Sequence, residues 1–177
     1  MSTTLTASVE APDLATSIGR LAGVIGQDHY PSGDRAALRR WAPGQRIPLA
    51  FYRLWLRHLN DELPREAETE AWMTLAWGIA TCGKSCHNPK RPWGQALAES
   101  QFAEGRLERL LSAPEDVRID LFMSAVRFLA AKDEAFDWSE AAQFLLTRDA
   151  NKRESLNRRI AAAYYRHLPQ ETKTTKE

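Results

Sequence analysis

The chain has 177 residues, 44% of them apolar, which suits one domain with a proper core or two small domains sharing an interface. Its 24 Lys and Arg stand against 23 Asp and Glu, so a strongly basic global balance is excluded, and any nucleic-acid role rests on where the charge lies. No apolar run approaches the roughly 18 residues of a membrane span, and "MSTTLTASVEAPDLA" lacks the basic-then-apolar layout of a signal peptide. The two cysteines therefore read as reduced thiols in a cytoplasm. The six tryptophans are many for this length and could serve either a core or an interface.

Residues 1–12 are small and polar and read as a disordered tail, as does 169–177. Leu14, Ile18, Leu21 and Ile25 recur at spacings of four and three and mark one face of a first helix. Ser32 or Asp34 is placed to cap a second, "DRAALRRW". Pro48 sits near the start of a third, "PLAFYRLWLRHL". A fourth runs from about Pro64 to Thr81, with Ala71, Trp72, Leu75, Ala76 and Ile79 on its apolar face. After a proline-containing loop come "QALAES", a break, and "EGRLERLLSA". Pro114 precedes a long amphipathic helix, "EDVRIDLFMSAVRFLAAKD", followed by "DWSEAAQFLLTR" and "NKRESLNRRIAAAYYRHL". No stretch alternates over strand length and no Asn-Gly hairpin signal appears, so the fold class is all-α, with eight or nine helices. A boundary at Ala113–Pro114 divides an N-terminal helical part, 13–113, from a C-terminal bundle, 114–168.

"GIATCGKS", Gly78–Ser85, fits the phosphate-loop pattern G-x-x-x-x-G-K-[ST]. Such a loop needs a strand before it and a helix opening at its Gly-Lys-Ser, whose amides and dipole hold the phosphates. Here the preceding segment is helical by period, and Pro89 and Pro92 follow too closely for a helix running on from Lys84. Gly83 is better read as the C-cap of the fourth helix, with Lys84 in the loop after it. Cys82, Cys86 and His87 form one cluster without a second cysteine pair, and His29, His58 and His167 are scattered, so no metal site is expected. No cofactor site, nucleophile–base pair or H-x-x-x-H motif emerges, so a nucleotide hydrolase using Gly78–Ser85 stands as the enzymatic alternative.

The neutral total conceals blocks. Residues 34–60 hold Arg35, Arg39, Arg40, Arg46, Arg53 and Arg57 against Asp34 alone, whereas residues 61–70 hold five acids and one Arg65. Residues 84–93 hold Lys84, Lys90 and Arg91 with no acid, and residues 144–168 hold Arg148, Lys152, Arg153, Arg158, Arg159 and Arg166 against Asp149 and Glu154. Arg35 and Arg39 share a helical face, as do Arg53 and Arg57; the third helix is otherwise apolar nearly all round and should be buried except for that stripe. Lys152, Arg159 and Arg166, seven apart, form another line. Each arginine alone fits a solvated face with local ion pairs. Together, three or four basic lines facing one groove would track a nucleic-acid backbone, because arginine's planar fork suits phosphate. A helical protein–protein adaptor with solvated basic faces is the competing reading.

Four segments in order carry a resemblance. "RIPLAFYRLWLRHL" is similar to the F-Y-R-L segment of the CasB family, the small subunit of type I-E CRISPR Cascade complexes. "GQALAESQFAEGRLERLL" resembles its G-R-A-L-A-x-S-x-x-x-E-x-R-L segment, and "FDWSEAAQFLL" and "RRIAAAYYRHL" resemble its D-W and R-R-x-x-x-x-Y-Y segments. The resemblance implies two packed helical bundles without enzymatic activity, acting in antiviral defence. It also implies guide RNA, target DNA, other Cascade subunits and a second head-to-tail copy as partners, with the guide–target hybrid and displaced strand held by backbone contacts. Carried over by position, Arg39 and Arg40 fall on an early R-R, Arg53 on F-Y-R-L, Arg106 on E-x-R-L, and Arg158 and Arg159 on the late R-R. Lys84 follows a helix-ending glycine, as a basic residue of the family does. Gln95 stands where the family usually has arginine, so a nucleic-acid contact made by that arginine would here be lost or be replaced by Arg91 or Lys90. Arg53, in a mostly apolar helix, could instead pair with a buried carboxylate.

Overall fold

The computed structural model describes residues 13–170. The tails expected at 1–12 and 169–177 lie outside them, except for Pro169 and Gln170. Among the described residues there are nine helices and no strand: α1 (Leu14–Gly26), α2 (Ser32–Arg40), α3 (Leu49–His58), α4 (Glu66–Cys82), α5 (Trp93–Glu99), α6 (Glu104–Leu111), α7 (Glu115–Ala131), α8 (Trp138–Leu146) and α9 (Ala150–His167).

Local chemistry sets several ends. Asp13 caps α1 by accepting from the Thr16 amide at 2.7 Å, Asp137 caps α8 through the Ser139 amide, and Asp149 caps α9 through the Lys152 amide. α2 differs from expectation. Its N-cap is Pro31, Ser32 is already helical, and the Asp34 carboxylate turns outward to Arg53 rather than back to the helix amides. Gly83 ends α4 at φ +83, a backbone state glycine adopts without strain.

α4 is the central element. Trp72 to Ala80 is buried without a break, so α4 has no outward face over that stretch. The single stripe read from the sequence is too narrow, because Met73, Trp77, Gly78 and Ala80 also find neighbours in α1, α2, α7 and α8. Thr74 is tolerated there because its hydroxyl donates to the Glu70 carbonyl at 2.7 Å. Close packing needs small residues at two points. A Cβ on Gly78 would lie 2.5 Å from Trp138 Cη2, and one on Gly94 would lie 2.2 Å from the Ile160 carbonyl oxygen, where α5 lies against α9.

The buried side chains form one cluster that runs across Ala113–Pro114, since α1 packs on α8, α4 on α7 and α5 on α9. All six tryptophans lie in it, so none of them serves an exposed interface. α3 buries Ala50, Phe51, Leu54 and Trp55 but, contrary to the sequence expectation, leaves Leu49 (71%) and Leu56 (46%) in solvent beside its arginines. The loop after α4 is pinned to the α7–α8 connection. The Phe136 amide donates to the Cys86 carbonyl at 3.1 Å, and the Asn88 amide donates to the Phe136 carbonyl at 2.9 Å.

Candidate nucleic-acid interface

The phosphate-loop pattern is not a phosphate loop in three dimensions. Gly78 to Cys82 are turns of α4, and the Gly83 amide donates to the Ile79 carbonyl at 3.1 Å, so it is not free for a phosphate. Lys84 pairs across the loop with Asp28, just beyond α1. The C-cap reading of Gly83 is borne out, and the alternative of a nucleotide hydrolase at Gly78–Ser85 lacks the strand and the free amides it needs. Among the described residues no three His, Cys, Asp or Glu side chains gather in a way that could hold a metal. Burial raises both thiols, Cys86 to about 11, so neither is a ready thiolate. His87 accepts the Trp138 amide on Nδ1 at 3.2 Å and anchors α8.

The twelve basic residues expected to bind nucleic acid divide by what they already touch. Three are structural. Arg35 donates to the Ile25 and Gln27 carbonyls at 2.9 and 2.8 Å, satisfying the end of α1, and lies over the Tyr30 ring. Arg91 holds Glu99 at 2.6 Å, together with Glu134 and the Ala135 carbonyl. Arg153 bridges the Thr147 carbonyl at 2.8 Å and Glu115 at 2.6 Å. Arg53 pairs with Asp34 at 2.5 Å, so it does have a carboxylate partner, but a partly exposed one at the surface rather than the buried one expected. Arg106 lies over the Phe102 and Phe128 rings and donates to Ser124 Oγ at 3.2 Å. Lys84 has its Asp28 partner but keeps an exposed ammonium. Gln95 donates to Glu99 at 2.8 Å, the carboxylate that Arg91 also holds, so Arg91 is not free to replace the family arginine and Lys90 is the exposed candidate.

Arg39, Arg40, Lys90, Lys152 and Arg158 are exposed, and their side chains make no hydrogen bond or ion pair with a described residue. Arg159 is 61% exposed, donating to Gln143 Oε1 at 2.5 Å with Glu140 at 3.7 Å. They do not face one groove. The turn after α2 is held at the start of α4 by the Gly44 amide on Glu70, and the α8–α9 turn is held there by Arg148 on the Ala67 carbonyl at 2.6 Å. Ala67 and Glu70 are one turn apart, so the C-terminal end of α2, with Arg39 and Arg40, and the start of α9, with Lys152, share that end of the molecule. Lys84, Lys90 and Arg91 follow the other end of α4, roughly 25 Å away at 1.5 Å per residue.

Arg158 and Arg159 part company. Arg159 and Lys152 line a groove of about 410 Å³ between α8 and α9, with Gln143, Thr147, Asn151 and Ser155 as further polar groups and no carboxylate in its lining. Arg158 faces a different side, a groove of about 560 Å³ between α6 and α9 lined by Glu104, Glu108 and Glu154. Adjacent helical positions point about 100° apart, so an R-R pair cannot serve one surface equally. Among the groups that sequence reasoning missed are Arg118, buried and held by the Phe144 and Ala113 carbonyls at 3.2 and 3.1 Å, and Arg148, whose docking on Ala67 fixes the α8–α9 turn. Nothing local distinguishes either from a solvated arginine.

The family model for CRISPR-associated protein Cse2 matches residues 34–165. The crystal structure of M. ruber CasB superposes with a TM-score of 0.66 at 21% identity, covering 87% of this chain and 93% of that one, a likeness of fold. Comparison with curated proteins returned no match. No helix of the described residues is long and apolar enough to cross a membrane. With three quarters of its length matched by the family model and its fold shared with CasB, the chain belongs to the CRISPR-associated Cse2 family of Cascade subunits.

Proposed function

We propose that this chain is a non-catalytic clamp that holds the guide RNA–target DNA hybrid and the displaced strand by their phosphates, within a surveillance complex built with other Cascade subunits and a second copy of the chain. The observation that carries this reading is the α8–α9 groove. Lys152 and Arg159 line it with amide and hydroxyl side chains and no acid, at the end of α4 where Arg39 and Arg40 are also free. Such a surface attracts any nucleic-acid backbone and reads no base edge. Arg159 can still take a phosphate, because its present partners, an amide oxygen and a carboxylate 3.7 Å away, leave its fork only partly engaged.

Fluorescence anisotropy with labelled single-stranded DNA, titrated with salt, tests the reading. Wild type should bind without sequence preference and lose affinity steeply as salt rises. Arg39→Ala/Arg40→Ala and Lys152→Ala/Arg159→Ala should each weaken binding and lower the salt slope by about one for every phosphate no longer neutralised. If both double variants, assembled into the complex, hold DNA as wild type does, the basic faces are solvated and the clamp assignment fails.

A further inference from the structure

The α6–α9 groove is the opposite of the proposed binding surface. Glu104, Glu108 and Glu154 stand in its lining against the single guanidinium of Arg158. Glu104 accepts the Tyr165 hydroxyl, while the carboxylates of Glu108 and Glu154 engage no described side chain. Leu111 and Ala161 form part of its apolar lining, and Tyr165, 52% exposed, forms a wall. A second cleft of about 740 Å³ shares Glu104 and Tyr165 and extends the furrow past the end of α9. From Glu154 to Tyr165 the furrow follows α9 for about 16 Å, the length of three helical turns.

Phosphates are repelled from such a lining. We propose that this furrow docks a basic amphipathic helix of a neighbouring protein subunit, with apolar side chains seated on Leu111, Ala161 and Tyr165 and Lys or Arg side chains meeting Glu108 and Glu154. Helix-in-groove recognition needs this combination of an apolar floor with anchors one turn apart and a charged rim that fixes register. Charge complementarity decides the occupant, because a neutral or acidic helix would leave the carboxylates unpaired or opposed. The assignment does not depend on the nucleic-acid surface, which lies on a different side of α9.

The test uses the full chain, labelled with ¹⁵N, and a synthetic Leu/Lys amphipathic peptide about three turns long. Saturable binding with shifts confined to α6 and α9 is expected, weakened at least tenfold in Glu108→Gln/Glu154→Gln and abolished in Glu108→Lys/Glu154→Lys. Both variants should hold single-stranded DNA at least as well as wild type; wild type that takes the peptide but no DNA would sink the clamp and leave this assignment standing. The assignment is overturned if a Leu/Glu peptide binds equally, if the shifts map elsewhere, or if the charge variants bind like wild type. It is also overturned if the wild type forms a dimer in sedimentation that the charge reversal dissolves, since the groove would then be a self-interface.

Discussion

Lys90 and Arg91 are neighbours with the same charge and opposite duties. Arg91 ties α5 to the α7–α8 connection through Glu99, Glu134 and the Ala135 carbonyl, and is mostly out of water. Replacing it with alanine leaves Glu134 and the Ala135 carbonyl without their donor and Glu99 with Gln95 alone, so Arg91→Ala should cost about 2 kcal/mol in urea unfolding. Lys90→Ala should stay within about 0.5 kcal/mol of wild type, because its side chain engages nothing described. No sequence pattern separates the two. Arg91 meets Glu134 at a separation of 43 residues, and only the packing of α5 against α7 and α8 brings them together. The same holds for Arg35 and Arg153, whose partners include carbonyls, groups every residue carries and no motif records. Basic blocks were legible in the sequence; which of their members are free was not.

Elements were more legible, because helical period is a local property. The stripe of α1 and the C-cap at Gly83 follow from residues a few positions apart. The full burial of α4 does not, since it depends on having neighbours on every side. Two junctions between elements carry predictions. At Gly94 a methyl group would press on the Ile160 carbonyl at 2.2 Å, so Gly94→Ala should destabilise the α5–α9 junction by about 1–3 kcal/mol, read as a lower urea midpoint. At His87 the imidazole accepts the first amide of α8, which requires an unprotonated Nδ1. Burial holds its pKa below the ordinary 6.5, against the raising influence of Asp137 and the Phe136 backbone. The unfolded chain therefore takes up the proton more readily. The stability tied to His87 is complete above the unfolded value and is lost as pH falls through it toward the folded one. The urea midpoint should drop between about pH 7.5 and about pH 5. His87→Gln should show a smaller drop; an equal drop would assign the effect to other groups.

At the scale of the molecule, one long helix, α9, separates two unlike surfaces: a carboxylate-free groove against α8 and an acidic furrow against α6. The net charge of +1 averages over both and describes neither. This partition lets a near-neutral chain present a cationic groove on one face of α9 and an anionic furrow on another, and it shows why the order of basic blocks along the sequence says little about their grouping. Helices far apart in the chain meet at each end of α4, with the turn after α2 and the α8–α9 turn held at its start and Lys84 at its other end.

The placement of the six indoles has a spectroscopic consequence. Trp41, Trp55, Trp72, Trp77, Trp93 and Trp138 are all at most 8% exposed. Their emission should lie to the blue in the native protein and move to the red in a single cooperative step on denaturation. Added single-stranded DNA should scarcely quench it, because no indole reaches the surface to stack on a base. Tryptophan fluorescence would then follow folding alone, and strong quenching by DNA would mean that the strand opens the core.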